Sequence, residues 1–369
     1  MILHLMTDDK FTDYAIKHFS ADGTSEFVLV YYCNDALTHV KNVESIRMIK
    51  YGSQEYKELK NRLGAYNCVF THGLFEKWQE DLVLATPHST KVAWMFLGGE
   101  VYGLPHLRKT FFDFTTKLLY LCKTLIYKFK KKSFDKEYSR IANETFRRID
   151  YCITDSIEEY NYANAKLGTS MKHIWYNYYS IEETVGALQT ESVNDFNILL
   201  GNSCSFECNH LKALRKLSRI GLRANQNVIL PLSYGDSWLR KRLIKIGPRI
   251  LGKHFKALTD FMPREKYNQL LLSCGVVVMP HYRPNAFGNV LTALWLGAKV
   301  FVSKNSLVFP FYERLGLHIY TIEDDLTNSS INTKLPKDYQ EHNREVLLAE
   351  YSAKTMQNRI KELINILNS

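Results

Sequence analysis

Small polar residues that follow an apolar run near the middle of the chain have the types and spacing that suit binding of a diphosphate. Gly201, Asn202 and Ser203 come directly after the run 196–200, and an amphipathic helical pattern begins at about residue 208. Such a turn leaves backbone N–H groups free near the positive end of a helix dipole, where an anion is stabilised. The alternative is a tight connection between strand and helix with no ligand.

Two further strand ends in the second half carry candidate ligand groups. An anion site there would combine helix N–H groups with the charge of a guanidinium group. Gly288 and Asn289 open a predicted helix. The alternative for Arg283 is a plain surface charge. The candidate residues are Ser233, Tyr234, Gly235, Arg283, Gly288 and Asn289.

Candidate acid–base residues follow strands in the first half. Glu100 comes after two glycines, which give a carboxylate close access to a ligand, and His72 precedes Gly73. Since ligands gather at the carboxyl ends of strands in an open α/β sheet, both residues are expected to face one crevice. Glu100 is the first candidate for a general base and His72 the second. A His-Gly pair is also common in plain turns.

Alternating strands and helices must position these residues. The pattern predicts two doubly wound α/β domains with parallel sheets. Helices are predicted over 208–219, 236–246, 264–273 and 287–297 in the second half, and one or two more from Pro336 onward. The predicted strands are Ile2–Met6, Phe27–Tyr32, Ser45–Ile49, Cys68–Thr71, Lys91–Phe96, Tyr151–Thr154, His173–Tyr176, Phe196–Leu200, Asn227–Pro231, His254–Leu258, Gly275–Met279 and Lys299–Ser303.

Composition limits the class of protein. A chain of 369 residues with 46% hydrophobic residues is long enough for two globular domains. It contains no apolar stretch long enough to span a membrane and begins without a basic secretory leader, so a cytosolic location is expected. Seven cysteines without a CxxC pair indicate reduced thiols. Cys204, Cys208 and His210 make a weak metal pattern, and Asp8-Asp9 comes early and lacks D-x-D spacing, so no metal site is expected.

The segment 105–148 is basic and rich in aromatic residues. Residues 108–148 carry twelve Lys or Arg against four Asp or Glu, a net charge of +8 out of +10 for the whole chain. Apolar residues at helical spacing, from Phe111 to Phe129, predict an amphipathic helix that lies on an anionic membrane surface. The alternative is an internal helix with a solvated basic end. No nucleic-acid-binding motif accompanies the charge, so nucleic acid is not expected as a partner.

The two α/β domains and the phosphate-holding turns resemble the GT-B glycosyltransferases. The stretch MPREKYNQLLLSCGVVVMPHYRPNAFGNVLTALWLGAKVFVS looks like the donor-binding region of that superfamily. A glutamate commonly stands just before the FG pair there, whereas this chain has Asn285-Ala286. The resemblance implies two Rossmann-like domains facing each other across a cleft, with a metal-independent transfer of sugar from a nucleotide donor.

A closer resemblance is to the Fuc4NAc transferases of enterobacterial common antigen synthesis, glycosyltransferase family 56, also described as 4-alpha-L-fucosyltransferases. ILLGNSCSFECNHLKAL is similar to the I-L-V-G-N-S…N-x-H-x-x-A-L motif of that family. VFTHGLF, FLGGEVYGL and PLSYG resemble its F-F-H-G-x-F, W-G-A-D-L-Y and P-M-G-Y-P segments, with Glu100 at the acidic position. These matches run in order from about residue 68 to 310.

The resemblance implies a peripheral enzyme at the cytoplasmic face of the bacterial inner membrane. It would move a deoxyamino sugar such as Fuc4NAc from a dTDP donor to a lipid-diphosphate-linked glycan, with no metal or other cofactor. The expected domains are 1–185 for the acceptor, 186–335 for the donor and a helical tail 336–369. Two alternatives remain: a nucleotide-sugar 2-epimerase of the same fold, and a non-catalytic protein that binds a nucleotide or lipid head group.

Overall fold

Buried apolar runs form two parallel sheets, one in each of the two units into which the chain divides in this computed structural model. The structure describes residues 1–20, 23–33, 37–126 and 143–369. Of these, the first unit takes 1–105, 143–180 and 353–369, and the second takes 106–126 and 181–352. The chain leaves each unit and returns to it, so neither unit is a contiguous piece of sequence.

The first unit is built on a parallel sheet with helices between its strands. Its strands are β1 (Ile2–Met6), β2 (Ser25–Tyr31), β3 (Arg47–Lys50), β4 (Cys68–His72), β5 (Lys91–Met95), β6 (Tyr151–Ile153) and β7 (Lys172–Ile174). They lie in the order β3-β2-β1-β4-β5-β6-β7, and every neighbouring pair is parallel. The helices of this unit include Thr12–Phe19, Gln54–Asn61, Lys77–Ala85, Gly99–Tyr102, Ile157–Leu167 and Ala353–Asn368.

The second unit repeats the scheme. Its strands are β8 (Ile198–Leu200), β9 (Val228–Pro231), β10 (Phe255–Leu258), β11 (Val276–Met279), β12 (Lys299–Val302) and β13 (Tyr320–Thr321). They lie in the order β10-β9-β8-β11-β12-β13, again in parallel pairs. The helices of this unit include Phe114–Ile126, Ile181–Val185, His210–Ile220, Ser237–Leu251, Arg264–Leu272, Phe287–Trp295, Phe309–Arg314, Asn328–Ile331 and Lys337–Tyr351.

Local sequence explains how these elements begin and end. The central strands are short apolar runs buried along their whole length, such as VVVM in β11, because helices cover both faces of a doubly wound sheet. The helix Ser237–Leu251 begins where the Asp236 side chain accepts a hydrogen bond from the Leu239 N–H group, and Gly252 follows its last residue. Ser156 caps the helix Ile157–Leu167 in the same way.

The structure confirms the predicted fold class, and most predicted strands agree with the observed ones within two residues. The short strand β13 was not predicted, since two residues are too few for a periodic pattern. The predicted tail consists of two helices, Lys337–Tyr351 and Ala353–Asn368, which the structure divides between the two units. Residues 127–142, which hold part of the predicted amphipathic helix, lie outside the described residues.

One assignment of the sequence is corrected. The segment 105–148 was placed in the N-terminal domain, but its helix Phe114–Ile126 belongs to the second unit. The reason is that Leu119 and Tyr120 pack against the buried core of that unit, beside Phe206. Periodicity shows that a helix has an apolar face but cannot show which core covers it.

Both sheets have the strand order of dinucleotide-binding folds, in which the direction of winding reverses between two central strands. This reversal falls between β1 and β4 in the first unit and between β8 and β11 in the second. Ligands of open α/β sheets bind outside the carboxyl ends of the strands at that point. The loops that follow these four strands therefore surround the points where a ligand of such a sheet binds.

Candidate functional site

The predicted turn Gly201–Ser203 lies at the reversal point of the second sheet. It follows β8, and residues 280–283 follow the neighbouring strand β11. Each of these loops leads to a helix through a residue in the left-handed region, Asn209 with φ 46° and Ala286 with φ 60°. They are the non-glycine residues with positive φ in the described part of the chain, and such conformations cluster at functional sites.

Asn202 joins three loops of this unit. Its Oδ1 lies 3.0 Å from His281 Nε2 and accepts a hydrogen bond from Asn285 Nδ2 at 3.3 Å. Its Nδ2 donates to the Tyr234 hydroxyl at 3.4 Å and to Asn285 Oδ1 at 3.4 Å. Since Asn202 is 8% exposed, its amide aligns the loops after β8, β9 and β11.

These contacts also set the charge at the reversal point. Burial, with a smaller contribution from Arg283, lowers the pKa of His281 to about 3, so this imidazole is neutral at physiological pH. With His281 neutral, the cluster of Asn202, Tyr234, His281 and Asn285 is uncharged there. The structure thus brings the predicted residues Asn202 and Tyr234 together with His281, which stands at the same strand end as Arg283, and with Asn285, which the sequence analysis left out of the site.

Two of the predicted glycines stand where a side chain would meet close neighbours. A Cβ atom on Gly235 would lie 2.5 Å from the carbonyl oxygen of Cys204, and φ at Gly235 is +109°. A Cβ atom on Gly201 would lie 3.1 Å from His210 Nε2, with φ +69°. The loops after β8 and β9 are held together by hydrogen bonds from Cys204 N to the Tyr234 carbonyl and from Asp236 N to the Cys204 carbonyl. The backbone contact therefore requires glycine at position 235, and the positive φ favours glycine at position 201.

A buried carboxylate with two arginines supplies the charges near these loops. Arg108 Nε donates to Glu207 Oε1 at 2.9 Å, and Glu207 is 6% exposed. Burial acts to raise the pKa of Glu207, but Arg108 and Arg283 outweigh it and hold that pKa below its ordinary value. Glu207 is thus an anion that lies within electrostatic reach of the predicted cation Arg283.

The remaining predicted donor residues have separate surroundings. Gly288 and Asn289 lie in the first turn of the helix Phe287–Trp295, and Asn289 Nδ2 donates to the Tyr267 hydroxyl at 3.2 Å. A Cβ atom on Gly288 would meet only Thr184 Cγ2, at 3.9 Å, so packing does not demand glycine there. The Ser233 carbonyl accepts from Arg240. Ser203 is buried, with its hydroxyl 3.7 Å from Cys208 Sγ.

His72 lies at the reversal point of the first sheet, beside a cavity. The lining of that cavity includes Thr7, Asp9, Leu97 and Tyr178. His72 Nδ1 is 2.7 Å from the Tyr178 hydroxyl. Burial lowers the pKa of His72 to about 3, so its imidazole is a poor general base by itself at neutral pH.

Glu100 is nearly enclosed, at 3% exposed. Its Oε1 accepts hydrogen bonds from Trp94 Nε1 at 3.2 Å and from Leu97 N at 3.3 Å. Among the described residues its Oε2 has no hydrogen-bond partner, and burial raises the pKa of the carboxyl to about 7. These bonds hold the turn after β5, and the assignment of Glu100 as the general base stays a prediction.

Sequence reasoning missed two residues at the first reversal point, Asp9 and Tyr178. The sequence places Asp9 in the polar turn that follows the first strand but gives it no role at a site. In the structure Asp9 lines the cavity, while Asp8 caps backbone N–H groups of residues 38–40. The position of Asp9 directly after β1 was the available signal. Tyr178 follows no recognisable motif. In the described part of the chain, no group of three or more His, Cys, Asp or Glu residues has the arrangement of a metal site.

The chain is similar to known proteins in structure but not in sequence. No protein-family model matches the sequence, and a search of curated proteins gives no match. Among solved structures, HepE of Anabaena in complex with UDP and glucose aligns with a TM-score of 0.65 at 14% identity, covering 99% of both chains. A glycosyltransferase of Rickettsia africae aligns at 0.65 and 13% identity, covering 99% of this chain and 98% of the other.

A third similar structure is sucrose-phosphate synthase of Thermosynechococcus elongatus. It aligns with a TM-score of 0.61 at 12% identity and covers 99% of this chain and 98% of the other. At identities this low the alignments establish the fold rather than the activity. Because they extend over nearly the whole length of every chain, the fold of both units is shared: this chain has the GT-B fold.

Proposed function

We propose that this protein is a GT-B glycosyltransferase that takes its sugar from a nucleotide donor. The observation that carries the proposal is the second reversal point, where uncharged polar groups around Asn202 lie close to Arg283 and to two helix N-termini. Transfer of a sugar leaves negative charge on a diphosphate, and helix N–H groups with a guanidinium stabilise that charge. The full-length similarity to a structure solved with UDP and glucose supports the same role.

The first experiment is a comparison of thermal stability with dTDP, UDP, GDP and CMP, with and without EDTA. A ligand that binds only the folded state raises the free energy of unfolding, by about 2.7 kcal/mol at a hundred times its dissociation constant. A selective rise with dTDP that EDTA leaves unchanged would support a metal-independent enzyme for a dTDP sugar. A preference for UDP or GDP would discard Fuc4NAc as the donor sugar, and no response to any nucleotide would contradict the proposal.

Turnover distinguishes a transferase from the two alternatives. A transferase releases nucleotide only when an acceptor is present, whereas an epimerase converts free nucleotide sugar and a binding protein converts nothing. We propose a lipid-diphosphate-linked glycan as the acceptor, as in bacterial surface polysaccharide synthesis at the cytoplasmic face of the inner membrane. A water-soluble sugar phosphate accepted in preference to a lipid-linked glycan would argue against that part of the proposal.

Membrane contact through the helix Phe114–Ile126 forms part of the same proposal. Leu119 and Tyr120 pack on the core of the second unit. Other apolar side chains recur every three or four residues on a different face: Phe114 (83% exposed), Leu118 (55%), Leu121 (50%) and Leu125 (62%). Within the described residues, no helix combines the length and apolar content needed to cross a membrane.

The occupant proposed for this apolar face is an anionic lipid surface. A wide exposed apolar stripe is uncommon on a water-soluble surface, and the net charge of +8 over residues 108–148 complements lipid phosphates. The residues that carry the stripe stand in one helix of the second unit, so lipid contact and donor binding belong to the same unit. Such a contact would bring the enzyme to the proposed acceptor, which is embedded in the membrane.

Vesicle flotation of the full-length protein tests the contact. The double variant Leu118→Ser with Leu121→Ser should lose binding to vesicles that contain phosphatidylglycerol by about tenfold or more, since a buried leucine contributes roughly 1.5 to 3 kcal/mol. The matched control is Leu84→Ser, an exposed leucine of the first unit (43%). Unchanged binding of the double variant, or equal binding to uncharged phosphatidylcholine vesicles, would refute a role of this helix at an anionic surface.

A further inference from the structure

A chain of hydrogen-bonded side chains runs through the first unit. Ser25 Oγ lies 3.2 Å from His4 Nε2, His4 Nδ1 lies 3.0 Å from His72 Nε2, and His72 Nδ1 lies 2.7 Å from the Tyr178 hydroxyl. Ser25 is the first residue of β2, and His72 is the last residue of β4. The chain therefore leads from the amino-terminal edge of the sheet to the cavity at its carboxyl-terminal edge.

The imidazoles of His4 and His72 in this series of hydrogen bonds are neutral. His4 is 0% exposed and His72 4%, and aromatic rings that include Phe19 and Phe70 surround them. Burial lowers the pKa of both rings, and repulsion from His72 lowers the pKa of His4 further. Tyr178 is within electrostatic reach of Tyr176, Asp9, Tyr179 and Glu100. A neutral imidazole has one N–H donor and one acceptor nitrogen.

With one donor and one acceptor on each imidazole, the protons of these hydrogen bonds have two complete arrangements. In the first, Tyr178 donates to His72, His72 Nε2–H donates to His4, and His4 Nε2–H donates to Ser25. In the second, every bond is reversed, so that both imidazoles carry their proton on Nδ1. A mixed pair would place two N–H groups or two lone pairs face to face between the rings. The rings must therefore share one tautomer and exchange it together.

The series of hydrogen bonds ends at a cavity that a ligand could enter. Tyr178 and His72 both line it, together with Thr7 and Asp9. In the part of the chain that the structure describes, the hydrogen-bond partner of the Tyr178 hydroxyl is His72, so its second position is open to a group in the cavity. In the second arrangement Tyr178 accepts from His72 and can donate toward the cavity, whereas in the first it can accept from it.

We propose that Tyr178, His72, His4 and Ser25 form a proton relay that removes the proton from a hydroxyl group bound in this cavity. The inference rests on the proposed function, because the hydroxyl is that of the sugar acceptor. Tyr178 is the residue that touches the acceptor. The two histidines and Ser25 act through it.

The relay balances without charging a histidine. As the new C–O bond forms, the acceptor oxygen becomes oxonium-like and strongly acidic, so a neutral hydroxyl can take its proton. Tyr178 receives that proton and passes its own to His72 Nδ1. His72 passes its Nε2 proton to His4 Nδ1, His4 passes its Nε2 proton to Ser25, and the Ser25 proton goes to water. The first arrangement returns when Ser25 takes a proton from water and each transfer runs backwards, so that Tyr178 releases a proton to water in the emptied cavity.

Nitrogen NMR of labelled histidine tests the coupling without any substrate. Tyr178→Phe leaves His72 Nδ1 without a partner. An unpaired buried N–H group costs more free energy than an unpaired acceptor nitrogen, so both rings should move to the Nε2–H tautomer. Ser25→Ala should move both rings to Nδ1–H. Opposite responses of both rings to changes at the two ends support the relay. A response confined to the nearer ring, or a ring that titrates near pH 6 to 7 as ordinary histidine does, would overturn it.

Kinetics of the full-length enzyme test the transfer itself. Tyr178→Phe and Ser25→Ala should each lower kcat, by about a hundredfold or more for Tyr178→Phe, with unchanged nucleotide affinity and loss of a multi-proton solvent isotope effect. The matched control is Tyr176→Phe, because the Tyr176 hydroxyl lies 2.8 Å from His18 Nδ1 and takes no part in the relay. Wild-type turnover in Ser25→Ala with an unaltered isotope effect would overturn the relay. An inactive wild type would count against the proposed function, and the NMR result would still decide the coupling.

Discussion

Replacing Asn202 by alanine should destabilise the second unit and weaken nucleotide binding. The substitution removes the oxygen that lies 3.0 Å from His281 Nε2, and His281 is 3% exposed, so water cannot readily replace it. An orphaned buried donor costs about 1 to 3 kcal/mol, and the lost bond to Asn285 adds about 1 kcal/mol. The expected loss is thus about 2 to 4 kcal/mol in the free energy of unfolding, or about 4 to 16 °C in Tm.

Denaturant unfolding of Asn202→Ala, His281→Phe and the double variant measures the contribution of the pair. If the orphaned imidazole dominates the cost, the double variant should be less destabilised than the sum of the single variants, by on the order of 1 kcal/mol. Asn289→Ala is the matched control, because its amide donates to Tyr267 and takes no part in the loop junction. A change in stability of Asn202→Ala within about 0.5 kcal/mol of wild type would refute this reasoning.

Three further changes should act through other contacts. Gly235→Ala places a Cβ atom 2.5 Å from the Cys204 carbonyl oxygen, so thermal melting should show destabilisation and nucleotide affinity should fall; wild-type values for both would contradict the required close approach. Glu100 has its pKa raised to about 7 by burial, so its protonated form stabilises the fold at low pH and that stability is lost as pH rises through about 7. Glu100→Gln should therefore flatten the fall in unfolding free energy between pH 5 and 8, measured by urea titration, and near-normal turnover would remove Glu100 as the base. Glu207→Gln removes the anion that Arg108 contacts at 2.9 Å, and it should destabilise the second unit by about 1 to 3 kcal/mol; an unchanged urea midpoint would show that the ion pair contributes little.

The sequence predicts the sheets well because each central strand is a buried apolar run with turn residues at its end. For the same reason it locates Gly201–Ser203 and His72, which the structure places at the two reversal points. The pairing of Asn202 with Asn285 spans 83 residues and depends on β8 and β11 being neighbours. Such proximity is a property of strand order, which local patterns do not contain.

The same limit applies to the first unit. His4 and His72 are 68 residues apart, and Tyr178 is 106 residues from His72. His4 stands in an apolar strand and was not singled out, because only the pairing of β1 with β4 gives it a partner. The helix Phe114–Ile126 was recognised from its periodicity, yet the unit that it packs on depends on side-chain packing around Phe206.

The discontinuous first unit has a consequence for synthesis on the ribosome. Leu363 and Leu367 of the last helix are 0% exposed in its core, and Asn67 Nδ2 donates to the Asn368 carbonyl at 3.0 Å. The segments of the first unit that are made before residue 353 therefore keep an exposed apolar surface until residues 353–369 emerge, whereas the second unit already has all its segments by residue 352. We expect the second unit to complete its folding before the first unit, and a chaperone to be most needed by the first unit.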